Sequence, residues 1–155
     1  MQSSSKPKHR RTNTVHIRWE FVVEDNEALL SVDTCLYAYI DAQKNELVYI
    51  GKCYGTTVHE RWNAQDKDLT FDRIARLGTP IKDIALSVGL ISLSDNKRFS
   101  AQLVQDLESL LIFEEQPCGN IQNRASRGFG RPGLVVDCSG HWPGSGRYID
   151  PGPTP

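Results

Sequence analysis

The hydrophobic pattern divides the chain into short apolar segments that are separated by polar connections. Four segments are rich in β-branched and aromatic residues, and each predicts a strand: HIRWEFVV (16–23), CLYAYI (35–40), ELVYIG (46–51) and IKDIALSVGLIS (81–92). The turn-like DAQKN between the second and third segments predicts a β-hairpin with a five-residue loop.

Helical patterns occupy the connections. VHERWNAQ (58–65) and FDRIARLG (71–78) predict one or two helices, the second closed by Gly78. The clearest helix is SAQLVQDLESLLIFEEQ (100–116), which begins at a capping Ser100 and ends before Pro117. The order β, ββ, α, β, α predicts an α+β domain. We expect a small, mostly antiparallel sheet, with three core strands plus an extra N-terminal strand, flanked by helices.

Charge is distributed unevenly, although the net charge is only −1. Residues 1–18 carry five Lys or Arg and no acid, residues 19–120 are acidic, and residues 121–131 carry three Arg and no acid. A polyanion would therefore have to bind a local patch. We divide the chain into a basic arm (1–14), one domain (15–135) and a Gly/Pro-rich tail (136–155).

Location and redox state also follow from composition. The sequence contains no run near the ~20 apolar residues of a membrane span and no apolar N-terminal signal. The four cysteines lack paired spacing, which favours reduced thiols and a cytoplasmic protein. Cys138 and His141 are spaced like two zinc ligands, but no second paired motif accompanies them.

The predicted hairpin carries three tyrosines. Because side chains alternate along a strand, Tyr37 and Tyr39 share a face, and a loop centred near Gln43 places Tyr37 opposite Tyr49. Tyr39 would then lie opposite Leu47. Aromatic cross-strand packing is the simpler explanation of such a pair, and a functional role is the alternative.

Glu108 lies at the edge of the apolar stripe of the long helix. Its neighbours one turn away are Val104, Leu111 and Ile112. A carboxylate in such surroundings needs a cation or an arginine as partner, unless it reaches past the stripe into water.

These elements together resemble the GIY-YIG nuclease superfamily. CLY (35–37) is similar to the GIY element, and YIG (49–51) matches its partner element. Lys52 follows YIG as in the repair nucleases of that family, and Arg61 resembles the family arginine on the first helix. Glu108, Pro117 and Asn120 resemble the family's E…P…N segment. The resemblance covers about residues 34–121.

The resemblance implies roles for six residues. Glu108 would bind one Mg²⁺ or Mn²⁺, Tyr49 would help to activate the attacking water, and Tyr37 would position that water or hold the phosphate. Lys52 and Arg61 would neutralise charge on the phosphorus, and Asn120 would order the site from the helix end. Such charge stabilisation lowers the barrier to phosphodiester hydrolysis.

The chain departs from the family pattern at several points. Cys35 replaces the first glycine of GIY, and the stretch between YIG and Arg61 is two residues longer than in the repair branch. Gln65 stands where many relatives have Tyr or His. His59 could substitute for that residue, but on a helix it would point elsewhere, and a surface histidine is the simpler interpretation.

The segment NIQNRASRGFGRPG (120–133) combines glycines with Arg124, Arg127 and Arg131. It predicts either contacts with the DNA backbone or an ordinary solvated loop. The resemblance implies a divalent-metal-dependent endonuclease that cleaves DNA, of a restriction-like, mobile-element or repair type. A double-strand break would then need a homodimer or two sequential nicks. The alternatives are a catalytically inactive nucleic-acid-binding module of the same fold and a structural α+β interaction domain.

Overall fold

The computed structural model describes residues 14–64, 67–94 and 98–154, except for the side chains of Glu24 and Asp25. Most of the predicted basic arm and Gln65 lie outside these residues. No helix in the described ranges is long and apolar enough to cross a membrane.

The fold is α+β, as predicted, but its sheet has six strands instead of four. Five of the strands appear in chain order as β1 (Thr14–Phe21), β2 (Thr34–Asp41), β3 (Glu46–Tyr54), β4 (Ile84–Leu93) and β5 (Val135–Gly140), and the sixth is β6 (Arg147–Ile149). Their order in the sheet is β3-β2-β4-β1-β5-β6. All neighbouring pairs are antiparallel except β1 and β5, which are parallel, so the sheet is mixed but mostly antiparallel.

The two unpredicted strands lie in the segment that the sequence analysis assigned mainly to a Gly/Pro-rich tail. β5 pairs with β1 over its full length, and β6 adds three residues to the outer edge. The short apolar run of β5 is followed by glycine and proline, which weakens its signal in the sequence. Val136 and Tyr148 join the main core, so this segment completes the sheet.

Within the described residues, three α-helices cover the sheet: α1 (Val58–Trp62), α2 (Lys67–Arg76) and α3 (Ala101–Glu115). Two 3₁₀ segments, Glu24–Ser31 and Ile81–Asp83, lie in the connections. The Ser100 hydroxyl accepts a hydrogen bond from Leu103 N–H at 3.1 Å, which confirms the predicted cap of α3.

The helices divide the core into two layers. α3 packs on one sheet face against residues such as Leu36, Ala38 and Ile50. α1 and α2 pack on the other face, against Tyr37 and Tyr39. Strand β2 is therefore buried on both sides, which explains why its apolar run is nearly continuous.

The register of the β2–β3 hairpin differs from our prediction. Tyr37 lies opposite Gly51 and Tyr39 opposite Tyr49. The last pair before the loop is Asp41 with Glu46, so the loop is one residue shorter than predicted, and a bulge between Tyr39 and Ile40 shifts the register by one more. A two-residue shift keeps the same face, so the tyrosines still share one side of the hairpin.

Candidate functional site

The site surrounds β3, which is an edge strand of the sheet. The chain after α3 runs along this edge. The Asn120 side chain accepts a hydrogen bond from Ile50 N–H at 2.9 Å and donates one to Ile50 C=O at 2.8 Å. Gly119 N–H donates to Val48 C=O at 2.6 Å. Asn120 therefore satisfies backbone groups of YIG that no neighbouring strand reaches, and it fixes the position of β3.

The tyrosines form a compact stack on the α1–α2 face of the hairpin. Ring centroids are 5.1 Å apart for Tyr39 and Tyr49, 5.7 Å for Tyr37 and Tyr39, and 6.1 Å for Tyr37 and Tyr49. Phe71 of α2 stacks on Tyr39 at 5.1 Å. Tyr37 and Tyr39 are fully buried, whereas Tyr49 is partly buried. The three phenols thus pack in one aromatic cluster on this face of the sheet.

Lys67, the first residue of α2, joins two of these phenols. Its Nζ lies 2.7 Å from the Tyr37 oxygen and 3.1 Å from the Tyr49 oxygen. It also lies 4.4 Å from the centroid of the Tyr49 ring. Lys67 is only 2% exposed. An ammonium group can only donate, so both phenol oxygens accept hydrogen bonds from it, and the ring faces add cation–π attraction.

Tyr37 keeps its proton at neutral pH. Burial is the largest cause, and it raises the pKa of Tyr37 far above the ordinary value, with further increases from Tyr49 and Tyr39. The Arg61 guanidinium opposes this shift through its charge and a hydrogen bond, but it does not reverse it. Tyr37 is therefore suited to donate a hydrogen bond and not to act as a base.

Glu108 projects from α3 toward the same edge. Its side chain is 15% exposed, and Oε1 lies 3.8 Å from Lys52 Nζ. Burial raises the pKa of Glu108 above its ordinary value, while the positive charges of Lys52, Arg61 and Lys67 lower it. These three cations lie on β3, α1 and α2, so positive charges from three different elements lower the pKa of one carboxylate.

A cavity of about 330 Å³ joins these groups. Its walls include Tyr49, Lys52, Arg61 and Glu108. A neighbouring hollow of about 390 Å³ shares Tyr49, Glu108 and Gln122 with it and extends toward Asn120. The two hollows form a groove along β3 with the carboxylate in their common wall. Such a groove has room for a phosphate group and several waters.

The donor set at Glu108 fits a magnesium ion better than a metal held by several protein ligands. No cluster of three or more His, Cys, Asp or Glu side chains occurs in the part of the chain that the structure describes. Mg²⁺ prefers oxygen ligands, retains several waters and is often held by one or two carboxylates together with substrate phosphate. Glu108, which is largely shielded from water and lines an open cavity, meets that requirement.

The structure thus brings six predicted residues together around β3: Tyr37, Tyr49, Lys52, Arg61, Glu108 and Asn120. It does not bring the three predicted DNA-contacting arginines to one surface. Arg127 is buried, and its guanidinium donates to Asp150 at 2.7 Å and to Ser109 at 2.8 Å. The prediction that Arg127 contacts DNA is wrong, because a buried carboxylate already holds its charge.

The other two arginines differ from each other. Arg131 pairs with Asp106 and is 41% exposed. Arg124 lies beside the site, with Nη1 at 3.5 Å from Asn120 C=O. It can therefore extend the positive surface next to the groove, and it remains a candidate for a DNA contact.

His59 and His141 lie away from the Glu108 carboxylate. His59 is exposed, contacts Asn63 and lines a different hollow together with Trp62, as expected for a surface histidine. The His141 ring stacks on Phe21 at 4.6 Å. Neither residue supplies a side chain to the Glu108 cavity.

Two residues near the site escaped the sequence analysis. Lys67 is the more important, and Arg73 donates to Gly119 C=O at 3.1 Å, which holds the segment that carries Asn120. Lys67 and Arg73 lie six residues apart near the two ends of α2, so sequence spacing alone gives no reason to group them. Lys67 lies between the two predicted helical segments, 58–65 and 71–78, so the sequence pattern gave no signal that marked it.

Comparison with known proteins gives no relative. No protein-family model matches the sequence, and no curated protein or solved structure matches the chain. The resemblance to the GIY-YIG superfamily therefore depends on the motif residues and on their arrangement.

Proposed function

We propose that this chain is a divalent-metal-dependent endonuclease of the GIY-YIG type that hydrolyses phosphodiester bonds in DNA. The observation that supports this most strongly is the shared cavity, in which Glu108, Tyr49, Lys52 and Arg61 converge from three different elements around one edge strand. The five motif elements lie along the chain in the order that the resemblance implies.

The charges of the cavity suit phosphoryl chemistry. Attack on a phosphodiester builds negative charge on the non-bridging oxygens. Lys52 and Arg61 supply positive charge from fixed positions on β3 and α1. Because this charge is aligned before the reaction, it stabilises the transition state more than the ground state.

The phenols divide the proton chemistry between them. Tyr37 stays protonated, so its role would be to donate a hydrogen bond to the attacking water or to the phosphate. Because Tyr37 is buried and lines neither hollow, this contact requires the groove to open toward it when DNA binds. Tyr49 lies at the cavity wall and takes the role of the phenol that assists deprotonation of water. Lys67 donates to the Tyr49 oxygen, and a hydrogen bond from an ammonium favours the phenolate over the phenol.

Glu108 would hold the metal ion. When it is bound, a divalent ion such as Mg²⁺ or Mn²⁺ polarises the phosphate and acidifies a coordinated water. The chain's own contribution is to keep Glu108 out of bulk water and to place it beside Lys52 in a cavity that Tyr49 also lines. One such site cuts one strand, so a double-strand break requires a homodimer or two successive nicks.

Plasmid nicking tests this proposal directly. Supercoiled DNA is incubated with the protein and Mg²⁺, with Mn²⁺, or with EDTA. We expect nicked circles with either metal and none with EDTA. Glu108→Gln should abolish nicking, because it removes the charged metal ligand while keeping the side-chain shape. Glu114→Gln, on the exposed face of the same helix, is the matched control and should retain activity.

The remaining outcomes distinguish the alternatives. Retention of DNA on the wild-type protein without nicking under any metal condition would support a catalytically inactive binding module. If the protein neither binds nor nicks DNA, the result would support a structural interaction domain. Nicking that is equal in the wild-type protein and in Glu108→Gln would reject the assignment of the site.

A further inference from the structure

Two cysteines face each other across the tyrosine hairpin. Cys35 of β2 and Cys53 of β3 are directly opposed, and both are fully buried. A hydrogen bond joins their side chains. Directly opposed residues in antiparallel strands have Cα atoms about 4.5–5.5 Å apart, which lies inside the range of about 4.4–6.8 Å that a disulfide spans.

The two thiols are electrostatically unequal. The hydrogen bond from Cys35 is the largest cause that lowers the pKa of Cys53, and the charges of Arg61 and Lys67 lower it further, against the effect of burial. The same hydrogen bond, together with burial, raises the pKa of Cys35. The positive charges of Arg61 and Lys67 thus favour Cys53 as the nucleophile of the pair.

The pair lies close to the open end of the hairpin. Beyond it lie the pair Thr34 and Tyr54 and two backbone hydrogen bonds, from Gly55 N–H to Asp33 C=O and from Val58 N–H to Val32 C=O. Tyr54 is 47% exposed. Strand ends open locally at low free-energy cost. Both sulfurs are covered in the closed state, and local opening of these outer contacts would expose Cys53 to a small oxidant.

We propose that Cys35 and Cys53 form a redox pair, which a hydroperoxide oxidises to a disulfide across β2 and β3. The Cys53 thiolate attacks the terminal oxygen of hydrogen peroxide, the O–O bond breaks, and the released hydroxide is protonated to water. The Cys35 sulfur then attacks the sulfenic acid of Cys53. The S–S bond forms as hydroxide leaves and takes the Cys35 proton, which gives the second water.

The position of the cross-link connects it to the phenols. Cys35 lies two residues before Tyr37, and Cys53 lies two residues after Gly51, the partner of Tyr37 in the sheet. All four side-chain positions share the α1–α2 face of the hairpin. Oxidation therefore cross-links the two strands beside Tyr37. It also removes the negative charge that a Cys53 thiolate would carry near Arg61 and Lys67.

Peptide mapping tests the pair without reference to any catalytic activity. The reduced full-length protein is treated with a small excess of hydrogen peroxide, denatured, and alkylated before digestion. We expect one cross-linked peptide pair that contains Cys35 and Cys53, with loss of two hydrogen atoms from the intact mass and full recovery on reduction with dithiothreitol. The oxidised protein should melt at a higher temperature than the reduced one, because the cross-link restricts the unfolded chain.

Single variants provide the controls. Cys53→Ser should eliminate the cross-linked peptide, whereas Cys118→Ser should leave it unchanged, since Cys118 lies outside the pair. Two results would overturn the proposal in the wild-type protein alone, even if Cys53→Ser folded poorly. One is that all four thiols can still be alkylated after peroxide treatment. The other is that the recovered disulfide joins a different pair of cysteines.

Discussion

The ring of Tyr37 occupies the space beside Gly51 in which any other residue would place its β-carbon. A β-carbon built on Gly51 collides with Cζ and Oη of Tyr37. The two residues are direct partners across β2 and β3. The position of the Tyr37 ring therefore requires a glycine at position 51. This close approach places the Tyr37 phenol within hydrogen-bond distance of Lys67.

Gly51→Ala should consequently disturb both the fold and the site. We expect a loss of about 1–3 kcal/mol in the free energy of unfolding, because the ring has to leave a packed position. Nicking should fall by much more than stability alone explains, since Tyr37 loses its contact with Lys67. Chemical denaturation and plasmid nicking measure the two effects. Gly128→Ala is the control, since nothing lies within 4 Å of a β-carbon there.

Asn120 supports β3 with an amide that accepts from Ile50 N–H and donates to Ile50 C=O. Asn120→Ala leaves them unpaired, which should cost about 1–3 kcal/mol for each group that water does not reach. Asn120→Asp keeps the acceptor, but its ionised form places a negative charge against Ile50 C=O. The Asp variant should therefore be more stable at pH 5 than at pH 8 relative to the wild-type protein. Equal stability of Asn120→Asp at both pH values would contradict this role.

The elements with strong periodicity could be predicted from the sequence, and the details that depend on distant packing could not. Strands β1 to β4 and helix α3 follow from apolar patterns and a serine cap. The predicted hairpin register was wrong because one bulge and a shorter loop change the strand pairing without changing the pattern of apolar residues in the sequence. β6 was missed because three residues between glycines and prolines carry almost no periodic signal.

The candidate site was predictable where a motif fixes residue type and spacing, and unpredictable where it depends on burial. Lys67 and Arg127 are both basic residues in polar stretches, yet both are buried, one among phenols and one against Asp150. Charge in the sequence does not reveal whether a side chain faces solvent or a partner far along the chain. Only packing of α2 and of the C-terminal segment decides that.

Glu108 should reduce the stability of the folded protein when it is ionised. Burial raises the pKa of its carboxyl, so the folded state binds this proton more tightly than the unfolded chain does. The contribution of Glu108 to stability is therefore greatest below its ordinary pKa, declines as pH rises toward the raised pKa, and is constant above it. Glu108→Gln should remove this decline and melt a few degrees higher at neutral pH.

Thermal melts from pH 4 to pH 8 check this expectation, with Glu114→Gln as the exposed control. A Glu108→Gln protein that melts below the wild type at neutral pH would show instead that the attraction of Lys52, Arg61 and Lys67 outweighs burial. Added Mg²⁺ should raise the melting temperature of the wild-type protein but not that of Glu108→Gln, because a ligand that binds only the folded state stabilises it.

Lys67 should affect the reaction through the phenols. Lys67→Met keeps the length and apolar packing of the side chain but removes both hydrogen bonds to the phenol oxygens. We expect nicking to fall by at least about tenfold, with a shift of its pH dependence toward higher pH, since proton transfer by Tyr49 loses its ammonium neighbour. Lys82→Met, on an exposed position, is the control. An unchanged pH profile would limit Lys67 to a packing role.

Arg127 should stabilise the fold and not bind DNA. Arg127→Met leaves Asp150 as a buried charge without its guanidinium, which should cost about 3–5 kcal/mol in the free energy of unfolding. Burial raises the pKa of Asp150, but its hydrogen bonds from Arg127 and from backbone N–H groups lower the pKa further, below the ordinary value. The pair therefore contributes stability that is present above this ordinary pKa and is lost as pH falls through the lowered one.

Arg127→Met/Asp150→Asn should recover much of the lost free energy of unfolding, measured by urea denaturation, because no charge then remains buried. DNA affinity of that double variant should equal that of the wild type, and a clear loss of affinity in the folded double variant would restore Arg127 as a DNA contact.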